Sequence, residues 1–269
     1  MDVIKLLAPA TKEFWEIPVL FEDEHLLALD KPSGVLTSPD RNDAERPNLI
    51  RLLHDGIAAQ KPWATKRNLT YLSNAHRLDF ETSGVLLLAK NKPAFLALAN
   101  AFGTDKPTKT DFAIIAGEPS SDHFEMIAKI APDAFRPGQM RIDPKEGKKS
   151  KTLFDVAEKF SGYTALTCRP ITSRMHQVRI HLKHAGFPLI GDTLYGGKPL
   201  WLSRLKKDFY LKPGREERPL LARVAQHAQE LTVPHPTTNE PVTIAAPLPK
   251  DLRVALRYLR EFRGVGAPE

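Results

Sequence analysis

Apolar runs and helical stripes alternate along the chain and predict its secondary structure. Leu26 to Leu29 is a short apolar run that ends at a Pro/Gly turn, as is typical of a strand. Val85 to Ala89 is a continuous apolar run and predicts a buried strand. Apolar residues three and four positions apart predict helices over 48–59 and 92–102. The same patterns predict strands at 112–116, 124–130, 153–157, 163–168, 221–233 and 242–245, and helices at 174–185 and 251–262, the last with Asp251 as N-cap.

The order of these elements indicates the fold class. Strands come in blocks with single helices between them, which favours an α+β domain on a mixed, mainly antiparallel sheet with flanking helices and loops. A regular strand–helix alternation and a glycine-rich phosphate loop are both missing from the sequence. We interpret residues 1–17 as an N-terminal tail or edge segment, and residues 18–269 as a single domain.

The amino-acid composition excludes several classes of protein. The chain has 269 residues, of which 42% are hydrophobic and 26% are charged, so it can bury a sizeable core. No run of 18 uncharged apolar residues exists, which argues against a membrane-spanning helix. The single cysteine, Cys168, excludes a disulfide framework and cysteine-rich metal sites, and it favours the reducing cytoplasm.

The balance of charge points weakly to a polyanionic partner. There are 39 Lys and Arg against 32 Asp and Glu, which gives a formal net charge of +7. Two segments, Arg141 to Lys151 and Lys198 to Arg218, are rich in basic residues and contain Pro and Gly, so we expect surface loops. These loops either are exposed to solvent without a binding role or contact phosphate groups.

The most informative stretch is His-Arg-Leu-Asp-Phe-Glu-Thr-Ser-Gly at positions 76–84, directly before the strand at Val85. A polar loop that enters a buried strand can hold a carboxylate such as Asp79 rigidly. The plainer interpretation is a surface pair between Asp79 and Arg77.

This stretch resembles the signature of the RluA-type pseudouridine synthases, with seven specified positions matched. Further stretches agree in the same order, and the resemblance extends from about residue 19 to 259. They lie at 30–34 (Asp-Lys-Pro-Ser-Gly), 173–182 (with Met175 where Thr is usual), 187–192 with 195–196, and 226–236. Because 17 residues precede the first matching strand, we expect a family member without the N-terminal S4 domain.

The resemblance implies a specific reaction. Such enzymes isomerise uridine in structured RNA, ribosomal or transfer, to pseudouridine, with no metal and no organic cofactor. The N1–C1′ bond breaks, the base turns, and C5 bonds to C1′. The implied partner is RNA, with no membrane and no obligatory protein partner, and we expect a monomer.

The resemblance also implies roles for individual residues. Asp79 matches the essential catalytic aspartate. Arg179 matches an arginine that pairs with it, and Arg77 matches an arginine beside the flipped nucleotide. Ile190 matches an apolar position that packs on the target base, although a pure core role fits it nearly as well.

One position departs from the family pattern. Asp111, six residues before Gly117, stands where the family has a tyrosine that stacks on uracil. We expect Asp111 to line the substrate site. A one-residue bulge that brings Phe112 to the base is the alternative, because side chains alternate along a strand.

Two other functions compete with this interpretation. One is a non-catalytic RNA-binding relative of the same fold, disabled by Asp111. The other is a glycoside-cleaving enzyme that uses Asp79 and Glu81, for which the sequence offers no tryptophan cluster. His176, His181 and His184 could suggest a metal, but the resemblance accounts for this segment without one.

Overall fold

The computed structural model of the chain describes residues 2–40, 43 and 45–264. They divide into two compact units, one drawn from Met1–Lys109 and Ala228–Pro247, the other from Thr110–His227 and Leu248–Glu269. In chain order the elements are β1 (Val3–Leu7), β2 (Phe14–Glu22), β3 (Leu26–Lys31), α1 (Leu49–Ala58), α2 (Pro62–Thr65), β4 (Ser73–Asn74), β5 (Ser83–Ala89), α3 (Lys92–Gly103), β6 (Thr108–Ala116), β7 (His123–Pro132), β8 (Met140–Ile142), β9 (Lys148–Phe160), β10 (Tyr163–Pro170), α4 (Gln177–His184), α5 (Leu202–Leu205), β11 (Gln226–Pro234), β12 (Pro241–Ala245) and α6 (Lys250–Arg263).

The first unit is built on the strand order β1-β2-β3-β5-β11, with β4 paired to β5 and β12 paired to β11. The first two residues of β11, Gln226 and His227, belong to the second unit. Its two central strands, β3 and β5, are antiparallel and buried on both faces. Leu27, Leu29, Leu86 and Leu88 pack in one core with residues of α1, whereas Leu26, Ala28, Val85 and Leu87 pack in a second core with residues of α3. Burial on both faces explains why these strands read as continuous apolar runs in the sequence.

The second unit is built on the strand order β6-β10-β9-β7-β8. Alternate residues of β6 enter two different cores: Phe112 and Ile114 pack with residues of α6, while Ala113 and Ile115 pack with residues of α4. The predicted apolar face of the closing helix is buried as expected, through Leu252, Ala255, Leu256 and Leu259. The α+β class with a mainly antiparallel sheet is therefore confirmed, since the strand pairs β1–β2, β2–β3, β3–β5, β6–β10, β9–β10, β7–β9, β7–β8, β4–β5 and β11–β12 are antiparallel.

Several predicted element boundaries are wrong; for example, the strands predicted from residues 112 and 153 begin at Thr108 and Lys148. The fourth helix begins at Gln177 rather than at residue 174, because His176 adopts a left-handed backbone with φ of 52°. The strand predicted from residue 221 begins at Gln226. Pro249, not Asp251, is the N-cap of α6, and the Asp251 carboxylate instead pairs with Arg223.

The two basic segments are not simple loops. The first holds β8, a turn and the start of β9, and the second contains α5. Residues 1–17 contain β1 and the start of β2, and β1 lies at one end of the strand order. None of the helices in the described ranges has the length and apolar character to cross a membrane.

Candidate active site

Asp79 lies on an irregular turn between β4 and β5 in the first unit. The main chain of this turn is fixed on both sides of Asp79. The Thr37 hydroxyl donates to the carbonyl of Leu78 at 2.9 Å and accepts from its N–H at 3.2 Å. On the other side, the Gly34 N–H donates to the carbonyl of Phe80 at 2.9 Å. The half-buried Asp79 side chain is thus carried on a backbone held by a separate segment of the chain.

The Lys31 side chain is buried beside this turn. It is 0% exposed, and Nζ donates to the carbonyls of Pro32 at 2.9 Å, Thr82 at 2.8 Å and Phe80 at 3.4 Å. A buried ammonium is costly unless its donors are satisfied, so these bonds tie the Lys-Pro segment to the Asp79 turn. Lys31 was not among the residues singled out from the sequence, although its position in the matched Asp-Lys-Pro-Ser-Gly stretch was the available signal.

His76 has a structural role in the same turn. Its Nε2 accepts the Leu87 N–H at 2.9 Å, and its ring stacks on Phe102 with 4.7 Å between centroids. Burial, assisted by the charge of Lys109, lowers the pKa of His76 to about 3. The imidazole is therefore neutral at physiological pH and serves as an acceptor that fixes the turn against β5.

Gly84 permits close packing where the turn enters β5. Its φ is +119°, and a Cβ at this position would lie 2.1 Å from the carbonyl oxygen of Ala228. Any side chain would therefore collide with the backbone of β11. The glycine of the motif is explained by this contact between two main chains of the first unit.

In the second unit, Arg179 is held by a buried carboxylate. Arg179 lies on α4 and is 3% exposed, and Asp192 is 1% exposed. Nε donates to Oδ2 of Asp192 at 2.8 Å and Nη2 donates to Oδ1 at 2.7 Å, which is a bidentate pair. The guanidinium carbon also lies 5.2 Å from the centre of the Tyr195 ring. The predicted pair between Arg179 and Asp79 stays a prediction.

The start of α4 is anchored to its neighbours by polar contacts. The Gln177 amide donates to the carbonyl of Lys151 and to the hydroxyl of Thr152, each at 3.0 Å. His176 Nδ1 lies 2.8 Å from the Tyr195 hydroxyl, which also accepts the Met140 N–H. These contacts fix the helix that carries Arg179.

The three histidines considered for a metal have different surroundings. His181 is buried, its ring nitrogens lie 2.8 Å from the Ser150 hydroxyl and 2.9 Å from that of Thr152, and burial lowers its pKa to about 4. His184 is exposed at the end of α4. Within the described residues, no three His, Cys, Asp or Glu side chains are grouped to hold a metal ion.

Asp111 is buried on β6 and faces away from Phe112. It is 8% exposed, and its Oδ2 accepts the Gln226 amide at 2.6 Å. The register between β6 and β10 runs without a shift from Tyr163–Ala116 to Cys168–Asp111. The bulge considered as an alternative is therefore absent from this pair, and Phe112 points into the core on the opposite side.

Cys168 is a buried neutral thiol next to this carboxylate. Burial, reinforced by the charges of Asp111 and Asp155, raises the pKa of the Cys168 thiol well above its usual value. A thiol in that state is a poor nucleophile. We assign it a packing role in the core shared with α4.

The remaining predicted residues occupy contrasting positions. Ile190 is 1% exposed and packs with Phe112 and Ile114 in the core beside α6. Arg77 is exposed on the Asp79 turn of the first unit. Asp192, which sequence reasoning did not select, follows Ile190 by two residues in the matched stretch, and only its contact with Arg179 reveals its importance.

Known proteins match this chain over most of its length. A family model described as RNA pseudouridylate synthase matches residues 25–184. Ribosomal large subunit pseudouridine synthase C of Escherichia coli (strain K12) is 32% identical over 247 residues, which cover 91% of this chain and 70% of that protein. Ribosomal large subunit pseudouridine synthase D of Xylella fastidiosa (strain Temecula1 / ATCC 700964) has the same identity and coverage.

Solved structures share the fold. Human RNA Pseudouridylate Synthase Domain Containing 4 aligns with a TM-score of 0.70 at 22% identity, over 90% of this chain and 92% of that chain. Human RNA Pseudouridylate Synthase Domain Containing 1 aligns with a TM-score of 0.63 at 25% identity, over 87% of this chain and 84% of that chain. The fold is thus that of the pseudouridylate synthases.

The chain belongs to the RNA pseudouridylate synthase family. It is an RNA pseudouridine synthase, and the resemblance to the RluA-type enzymes is confirmed.

Proposed function

We propose that this chain forms pseudouridine in the RNA of the large ribosomal subunit, with Asp79 as the catalytic carboxylate. The observation that carries the proposal is the Asp79 turn, fixed by Thr37 and Gly34 on either side and by Lys31 beneath it. It lies within the part of the chain that the family model matches. The choice of ribosomal RNA rests on the relatives, whose names specify the ribosomal large subunit.

The proposed reaction is an isomerisation that needs no redox partner. The N1–C1′ bond of the uridine breaks and C5 bonds to C1′, while the C5 proton is lost and N1 regains one. Asp79 assists bond cleavage in its ionised form, as nucleophile or base. Positive charge near a carboxylate favours ionisation, which is the role that we propose for Arg179.

The Asp192 pair is compatible with that role. A guanidinium has five N–H donors, and Asp192 engages Nε and Nη2. Fixed in this way, Arg179 has little side-chain freedom left to lose when it contacts a second carboxylate. Arg77, exposed on the Asp79 turn, is proposed to contact the flipped nucleotide.

Tritium release from C5-labelled RNA tests the function directly, because the label leaves only when C5 loses its proton. We expect release from protein-free large-subunit ribosomal RNA and none from small-subunit ribosomal RNA. Release from transfer RNA alone would contradict the proposed substrate. Binding without any release would favour a non-catalytic relative.

We also propose that Asp111 lines the substrate site, where the resemblance implies a tyrosine. A negative charge in that site disfavours the ionised form of any acidic group that takes part in the reaction there. Asp111→Asn removes one charge, so we expect the acid limb of the kcat–pH profile to move to lower pH by roughly one unit.

The control is Phe112→Leu, on the opposite face of the same strand. We expect it to lower the free energy of unfolding by about 1–2 kcal/mol and to leave the pH profile in place. An unshifted profile in Asp111→Asn would place that carboxylate outside the reaction.

A further inference from the structure

One face of the sheet in the second unit carries closely spaced lysines. In the β7–β9 pair, Lys129 lies directly opposite Lys149, and Ile127 lies opposite Lys151. Because alternate residues of a strand share a face, these four side chains project to the same side. Ser150, on the other side, is buried against His181 of α4. The lysine face is therefore the solvent side, where Ile127 is 63% exposed.

Contacts within the fold balance only part of the positive charge on this face. Lys151 pairs with Glu125 at 2.7 Å. Among the described residues, no acidic side chain pairs with Lys129 or Lys149. Like charges directly opposite each other on a sheet are destabilising. The facing pair Lys129 and Lys149 therefore lowers the stability of the fold, and no acidic side chain among the described residues offsets this effect.

The lysines also border a concave surface. A groove of about 600 Å³ is lined by both apolar and basic side chains, and Thr172 and Ser150 contribute to its wall. The full lining is Ile127, Ala128, Lys129, Ile142, Pro144, Lys149, Ser150, Lys151, Thr172 and His184. Ammonium groups at the rim of a groove suit an extended polyanion, because long lysine stems let each charge meet a separate phosphate.

We propose that this groove binds the phosphodiester backbone of the substrate RNA, with Lys129 and Lys149 as its central phosphate contacts. The proposal rests on the proposed function for the identity of the RNA. The exposed Ile127 beside the lysines offers an apolar surface to a ribose or base. Contacts of this kind position the RNA without reading its sequence.

The test compares two double variants that each remove two positive charges. Lys129→Gln/Lys149→Gln alters the groove, whereas Lys92→Gln/Lys250→Gln alters exposed lysines outside it. The measured quantity is the Kd for protein-free large-subunit ribosomal RNA over a range of salt concentrations. We expect the groove variant to bind roughly tenfold more weakly at low salt, and its log–log salt slope to fall by between about 1 and 2.

Two further measurements separate binding from folding and catalysis. The groove variant should melt at the same or a higher temperature than the unmodified protein, because a like-charge pair has been relieved. Tritium release should be unchanged in the control Lys92→Gln/Lys250→Gln, and Lys129→Arg/Lys149→Arg, which keeps both positive charges, should restore the slope of the unmodified protein.

The proposal is overturned if the groove variant keeps the salt slope of the unmodified protein. It is also overturned if the control variant Lys92→Gln/Lys250→Gln loses as much RNA affinity as the groove variant. Binding is measured without turnover, so this result is independent of the proposed function. A protein that shows the groove effect but releases no tritium would contradict the proposed function alone.

Discussion

Asp79→Asn is expected to lower kcat at saturating RNA by roughly 10³-fold or more, which corresponds to about 4 kcal/mol of transition-state stabilisation. The substitution keeps the shape of the side chain and removes its charge. The turn should persist, because its fixed bonds use the main chain of Leu78, Phe80 and Thr82 rather than the carboxylate. Tritium release measures the loss, while RNA affinity and the melting temperature should stay close to those of the unmodified protein.

Asp133→Asn is the matched control for this substitution. Asp133 is also half-buried in a turn, where its carboxylate accepts the Phe135 N–H at 2.9 Å, and an asparagine oxygen can accept the same bond. We expect full activity from this variant. More than about one per cent of residual turnover in Asp79→Asn, with substrate saturating, would be incompatible with a catalytic role for Asp79.

The elements with the strongest apolar patterns could be predicted from the sequence. β3 and β5 are buried on both faces, so their sequences are continuous apolar runs, and the short length of these runs indicated strands. α6 buries one stripe of a 14-residue helix, and its helical period was correspondingly clear. In contrast, β4, α2 and α5 have two to four residues each, too few for any period to be recognised.

Residues that act through distant contacts could not be found in this way. Lys31 meets carbonyls of the Asp79 turn about 50 positions along the chain, and nothing local to Lys31 indicates that it is buried. The left-handed backbone at His176 likewise makes α4 shorter than predicted, and no glycine at that position indicates this conformation in the sequence. Such features depend on tertiary structure, which hydrophobic periodicity does not encode.

Asp111 shows how much about the orientation of strand residues can be inferred from the sequence alone. Counting back from Gly117 placed this aspartate and Phe112 on opposite faces of one strand, provided that no bulge intervened. The unbroken register with β10 satisfies that condition. What the count could not supply is the Gln226 amide that holds the carboxylate, since Gln226 lies on a strand 115 residues away.

Asp192→Asn is expected to lower the free energy of unfolding by about 3–5 kcal/mol, because it removes the carboxylate from a buried ion pair. Both partners are nearly inaccessible to water, so solvent cannot replace the lost charge. Asp251→Asn provides the matched control: it breaks another bidentate pair, with Arg223, but the Asp251 side chain is 42% exposed. We expect that control to cost about 1 kcal/mol or less. Urea unfolding measures both values, and equal losses would contradict the argument.

The double variant Arg179→Met/Asp192→Leu separates stability from function. Apolar side chains of similar size often replace a buried ion pair at little cost, so most of the stability lost in Asp192→Asn should return. Tritium release should not return, because the proposed support of Asp79 by Arg179 is gone. A double variant that regains both stability and turnover would show that Arg179 serves the fold alone.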